Sequence, residues 1–242
     1  MISILPVEGL PEVEEGTDLG ALIAERAQLE DGDVVVVAQK VVSKAEGRVV
    51  RLDDVEASAR ARELAGNWCD PRESEVILRE SRRIVRSRNS LVIAETEHGF
   101  VCASAGVDHS NAAEPHTLVL LPVDPDASAR RIRDAIGAKT GRSVAVIVTD
   151  SFGRPFRRGT TDVAIGVAGL APLRDLRGTA DRAGSVLRST QVAVADEIAA
   201  AANLVRASKA DGIPVVVVRG LDASGDGAAA ELVMPAERDL FR

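Results

Sequence analysis

The chain has 242 residues, 45% of them hydrophobic but only 2% aromatic, so a sizeable core has to be built from aliphatic side chains. A formal net charge of −7 argues against a nucleic-acid or membrane-surface binder, which would need a broad basic face. Two cysteines, Cys69 and Cys102, make no disulfide framework, the first residues carry no basic-then-apolar leader, and no run is long enough to span a membrane, so a cytoplasmic context is expected.

In chain order, Thr17 is placed to cap a helix reaching about Leu29. The turn pair Asp31-Gly32 then opens a β-branched strand over 33–38. The segment after it, Gln39 to Arg48, holds Lys40 and Lys44, two of only four lysines. They could meet a phosphate tail or simply be surface lysines; the glycine spacing of a P-loop is absent. Asp70-Pro71-Arg72-Glu73 reads as a cap, a proline at the first helical position and a reciprocal acid.

Gly106 to Asn111 offers Asp108 as a carboxylate ligand and Asn111 as an amide donor and acceptor, or an Asx turn between strands. His109 and His116 with Glu114 are too few and wrongly spaced for zinc, and read as solvated loop residues. A strand is expected over 117–121. Asp124-Pro125 then starts a helix ending near Gly137.

The next strand, over 143–149, runs into Thr149-Asp150-Ser151. A carboxylate and a hydroxyl at a strand end suit a Mg²⁺ or Mn²⁺ site, or a turn aspartate that caps the following segment. Glycines punctuate 153–184, which reads as a loop-rich functional insert. Within it Arg154, Arg157 and Arg158 form either an anion clamp or a solvated basic turn paired with Asp162 or Asp175. An alanine-rich helix is expected over 191–209 and a last strand over 214–218. The order is not a clean βαβ series. It points to an α+β fold of mixed β-sheets with flanking helices, in two intimately packed subdomains.

Ordered blocks along nearly the whole chain resemble the coenzyme F420-0:L-glutamate ligase family, also called F420-0 gamma-glutamyl ligases. They are LPVEGLPE, DVVVVAQKVVSKAEGR, CASAGVDHSN, LLPVDPDASARRIR, VAVIVTDSFGRPFRRG, DVAIGVAGL, VAVADEIAAAA and VVVVRGL. The resemblance implies a single ligase module over 1–242, without the flavin-binding reductase domain fused to some members. It implies a homodimer that uses GTP, L-glutamate and coenzyme F420-0, with Mg²⁺ or Mn²⁺ as divalent metal and K⁺ as a further candidate.

Carried over by position, Leu10, Pro11, Glu12, Val13, Gln39, Lys44 and Asn111 would bind the nucleotide. Asp108 and Asp150 would hold one metal, and Ser151 would help hold a second. Lys44 and Asp150 are the expected catalytic residues. Arg154, Arg157 and Arg158 are candidates for the precursor's anionic groups. Three departures stand out: Ser151 where Thr is common, Phe156 where Trp is common, and Arg206-Ala207-Ser208 where many members read Met-Gly-Gln.

The chemistry implied is amide synthesis through an acyl phosphate, with no protein nucleophile. Asp196 and Glu197 are candidate bases only because they are acidic residues in a family-like block. A metal-dependent nucleotide hydrolase or phosphotransferase, and a non-catalytic binding module for the deazaflavin precursor, are the alternatives.

Overall fold

Val, Ile and Ala fill almost every position of the central strands, with no alternation, because both faces of their sheet are covered. The computed structural model describes residues 1–109, 116–206 and 212–241. In chain order the strands are β1 (Ser3–Pro6), β2 (Val34–Ala38), β3 (Val49–Arg51), β4 (Ser81–Arg88), β5 (Leu91–Thr96), β6 (Val101–Ala103), β7 (Thr117–Val119), β8 (Ala145–Arg154), β9 (Arg157–Ala168), β10 (Arg174–Asp175), β11 (Gln191–Val192) and β12 (Val215–Arg219). The helices are α1 (Leu19–Arg26), α2 (Gln39–Ala45), α3 (Ala59–Ala65), α4 (Pro71–Arg79), α5 (Pro125–Thr140) and α6 (Val194–Arg206). The fold is α+β with mixed sheets, as expected.

The main sheet has the order β1-β12-β2-β8-β9, and only β2 and β8 run parallel. Alternate residues serve opposite faces. Val35, Val37, Val146 and Val148 pack with α1 and α5, through residues such as Ile23 and Ile132. Val34, Val36 and Ile147 pack instead with Ala195, Ile198 and Ala202 of α6. A third cluster joins Val76 and Ile77 of α4 to Val92, Ala94 and Leu118, under the smaller sheet β4-β5-β6.

Several boundaries differ from the sequence reading. Asp18, not Thr17, caps α1 by accepting the Ala21 N–H at 2.9 Å, while the Thr17 hydroxyl donates to the Glu14 carbonyl. α5 runs past Gly137 to a left-handed Gly141, which supplies the helix stop. Asp70 does cap α4, but Glu73 turns to His109 at 2.7 Å, so that histidine is partnered rather than merely solvated. α6 is shorter than expected at its start, where Gln191 and Val192 pair with β10; residues 207–209 lie outside the described residues.

The largest correction concerns 153–184. Its first half is strand: β8 and β9 form one long hairpin whose register pairs Arg154 with Arg157. Pro155 fixes φ for the turn, and Phe156 takes the positive φ of 60° that the other central position needs. The glycines of this stretch had hidden the strand. One of them, Gly166, permits a close approach rather than a loop, because a Cβ there would lie 2.3 Å from the Pro125 carbonyl oxygen.

Candidate active site

β2 and β8 are parallel neighbours with Ala38 beside Thr149, so their carboxyl ends open on the same edge of the sheet. Such an edge is where open α/β sheets hold ligands. β2 passes straight into α2, which carries Gln39, Lys40 and Lys44, and β8 delivers Thr149, Asp150 and Ser151. The loop 10–13 closes over them; the Gly16 N–H donates to the Ala45 carbonyl at 2.9 Å and ties it to the end of α2. Asp108 comes from a bridge to Val119, with reciprocal backbone bonds of 3.1 and 2.9 Å.

These segments line one cavity of about 950 Å³. Leu10, Pro11, Glu12, Val13, Gln39, Lys44, Asp108, Asp150 and Ser151 all contribute to it. Asn111 lies outside the described residues. Arg154, Arg157 and Arg158 are exposed on the tip of the β8–β9 hairpin and do not line the cavity. Arg154 there donates to the Arg158 carbonyl at 2.8 Å. The pairings considered for this basic turn do not form, since Asp175 pairs with Arg177 and Asp162 with Arg206.

Lys44 forms an ion pair with Glu12, which brings the two expected nucleotide residues together. Gln39 is buried and spends both amide hydrogens, on Ser43 Oγ at 2.6 Å and the Leu120 carbonyl at 2.8 Å. Lys40 reaches Asp108 at 2.7 Å.

Asp150 is only partly open to the cavity. Burial pushes its carboxyl up to about 6, opposed by the Ser151 N–H and the Lys40 charge and helped by the negative charges of Asp108 and Asp162. Burial and the nearby Asp150 charge push the Cys102 thiol up to about 12, so this cysteine is inert. Neither cysteine is in a disulfide.

Strand alternation puts Asp150 and Ser151 on opposite faces of β8. On the Asp150 face, two carboxylates share one lysine, a donor set that suits a hard divalent ion completed by phosphate oxygens and water. Among the described residues no group of three His, Cys, Asp or Glu side chains gathers to hold a metal without such help.

On the other face, Ser151 and Thr149 meet Asp162 of β9 and Arg206 of α6. Sequence reading missed this group. Recognising the β8–β9 hairpin would have set Asp162 directly opposite Ser151. Asp196 and Glu197 line a second, shallower pocket of about 460 Å³ with Gln191. Burial raises the Asp196 pKa, and its Oδ1 accepts the Ala164 N–H at 2.9 Å.

A sheet-edge cavity that gathers lysines and carboxylates accords with the ligase class to which the chain's similarity to known proteins points. The family model described as F420-0:Gamma-glutamyl ligase matches residues 9–220. A coenzyme F420:L-glutamate ligase of Methanothermobacter thermautotrophicus is 44% identical over 100% of this chain and 99% of its own length. Those of Archaeoglobus fulgidus and Methanopyrus kandleri are each 45% identical over 100% of this chain, and over 96% and 98% of their own lengths. The chain belongs to the F420-0:gamma-glutamyl ligase family. Among the described residues no helix is long and apolar enough to cross a membrane.

Proposed function

We propose that this chain joins L-glutamate to the carboxylate of coenzyme F420-0, using GTP and releasing GDP and phosphate. The observation that carries the reading is that nine residues, drawn from separate stretches of sequence and expected at nucleotide or metal, line one cavity. The activity named for relatives that match this chain end to end supports the same substrates.

A carboxylate is a poor acyl donor because oxide is a poor leaving group. Its oxygen attacks the γ-phosphorus of GTP and GDP departs, leaving an acyl phosphate. The glutamate amine then attacks the acyl carbon, phosphate leaves, and the nitrogen loses a proton. Asp108 and Asp150 would hold a divalent ion, Mg²⁺ or Mn²⁺, which supplies charge neutralisation at the phosphates. Lys44 leaves Glu12, or shares it, to meet a phosphate oxygen. The cavity's apolar rim, Leu10, Pro11 and Val13, faces the nucleotide base and limits water.

Incubation with coenzyme F420-0, GTP, Mn²⁺ and L-glutamate tests this. The expected product is heavier by one glutamyl residue, and GDP release requires the amino acid. Equal GDP release without glutamate would favour the hydrolase alternative, and binding without turnover the binding module.

Lys44→Ala should raise the apparent GTP requirement. Loss of one charge-assisted bond costs about 1.5–3 kcal/mol, or about 10- to 150-fold in affinity. An unchanged GTP titration would return Lys44 to a structural partner of Glu12.

The hairpin arginines remain candidates for the precursor's phosphodiester, met from an extended substrate or across a subunit boundary. At least one of the Arg154→Gln, Arg157→Gln and Arg158→Gln variants should raise the precursor KM with GTP dependence little changed. Wild-type precursor kinetics in all three would place the anion clamp elsewhere. A homodimer is expected, and light scattering at a one-chain mass would contradict it.

A further inference from the structure

The two faces of β8 at the cavity carry different charge. On the Asp150 face two carboxylates, Asp108 and Asp150, gather around Lys40. On the Ser151 face the charges already cancel. Asp162 is 3% exposed and Arg206 9%, and both line the cavity. Asp162 Oδ1 accepts the Ser151 hydroxyl at 2.6 Å, and its Oδ2 accepts Arg206 Nη1 at 2.7 Å. The same Nη1 donates to Thr149 Oγ1 at 2.9 Å, and Nη2 donates to the Val36 carbonyl at 3.1 Å.

A guanidinium keeps its charge in proteins, and its planar fork is held here at three points. A divalent ion at Ser151 would find one neutral hydroxyl and a carboxylate whose charge is already matched. It would also face a fixed cation across a poorly screened interior. Hard cations need net negative oxygen around them, and among the described residues hydrogen-bonded to Ser151 and Thr149 the one carboxylate, Asp162, is already matched by Arg206.

We propose that Arg206 takes the place of a divalent ion on the Ser151 face, so that each chain takes up a single ion, at Asp108 and Asp150. This rests on the reading that Asp108 and Asp150 bind such an ion. Arg206 is then a positioning residue. It fixes Asp162, and Asp162 accepts the hydrogen bond of the Ser151 hydroxyl, which leaves the Ser151 oxygen lone pairs for a donor on the substrate. The arginine also closes a latent site: without it, Asp162, Ser151 and Thr149 would be a bare set of oxygens around one uncompensated carboxylate.

The test counts ions. The whole chain is stripped with chelator and titrated with Mn²⁺ alone, and bound ion is read from loss of the free-Mn²⁺ paramagnetic resonance signal. One ion is expected in the wild type and none in Asp150→Asn. Two are expected in Arg206→Met, and one again in Arg206→Met/Asp162→Asn. Should Arg206→Met fail to fold, Arg206→Lys keeps the charge and must still take up one ion.

Two ions in the wild type overturn the proposal and leave the Asp108–Asp150 reading standing. No ion in the wild type, or one that survives Asp150→Asn, overturns that reading and the proposal with it. A folded Arg206→Met chain that still takes up one ion overturns the proposal alone.

Discussion

Asp150→Asn should cut turnover by at least about 100-fold while making the metal-free protein more stable, a combination that a structural aspartate would not show. The activity loss follows from removing one of the two carboxylates proposed to hold the ion. The stability gain follows from the raised pKa. Burial holds the Asp150 carboxyl at about 6 instead of its ordinary 3.8. The folded chain therefore binds this proton more tightly than the unfolded chain does.

Stability from this group is full below about pH 4 and falls as pH rises, and the loss is complete above about pH 6. At neutral pH the charge costs on the order of 2 kcal/mol, with water in the cavity already reducing the figure. Asn keeps the shape without the charge. Urea melts in chelator at pH 7 should show the variant at a higher midpoint, with a flatter pH profile between about 4 and 6. A lower midpoint at pH 7, or near-normal turnover at limiting metal, would remove Asp150 from the proposed role.

Gly166→Ala should produce the largest loss of fold. Gly166 lies in β9 opposite Val148, where α5 begins against the sheet. A Cβ would come within 2.3 Å of the Pro125 carbonyl oxygen and 2.4 Å of its carbon. Backbone cannot swing aside as a flexible side chain does. The neighbouring bonds tighten the constraint, because Asp126 Oδ1 accepts both the Val167 N–H at 2.7 Å and the Ala229 N–H at 3.0 Å. Overpacking ordinarily costs about 1–3 kcal/mol, and a contact with backbone on both sides should reach or exceed the top of that range. Chemical denaturation would read it as a shifted midpoint at unchanged slope. A change under about 1 kcal/mol would mean that α5 can move away from β9 freely.

The parts of this molecule legible in its sequence are those where composition and position agree. The continuous apolar runs at 34–38, 145–149 and 215–218 announced strands buried on both faces, and they form the middle of the main sheet. Asp124-Pro125 announced α5 because cap and first-turn proline are local chemistry. The hairpin was hidden because its strands carry Gly and Asp, which are depleted in sheets, among charged arginines that a solvent-exposed arm tolerates. β4 was hidden for the same reason: in SRRIVRSR the arginines outnumber the apolar residues.

At the site, Lys44, Asp108 and Asp150 were found one by one, each with an ordinary surface or turn reading beside it. The parallel pairing of β2 with β8, a contact between residues more than a hundred positions apart, joins Lys44 to Asp150, and the bridge to Val119 brings Asp108 to them. Asp162 and Arg206 escaped because their meaning lies wholly in pairing across β9 and α6.

The sheet order has a consequence in time. Among the described residues β1 pairs with β12, Ser3 beside Arg219, and β12 fills the space between β1 and β2. While the chain is being made, β2 and β8 can associate early but leave the other edge of β2 open until residues 215–219 have left the ribosome. Contacts of such long sequence separation form slowly. An open, apolar β2 edge invites pairing with other chains in the meantime. A truncated or stalled product lacking β12 would thus be prone to aggregate rather than merely inactive, and chaperone demand during synthesis should centre on that interval.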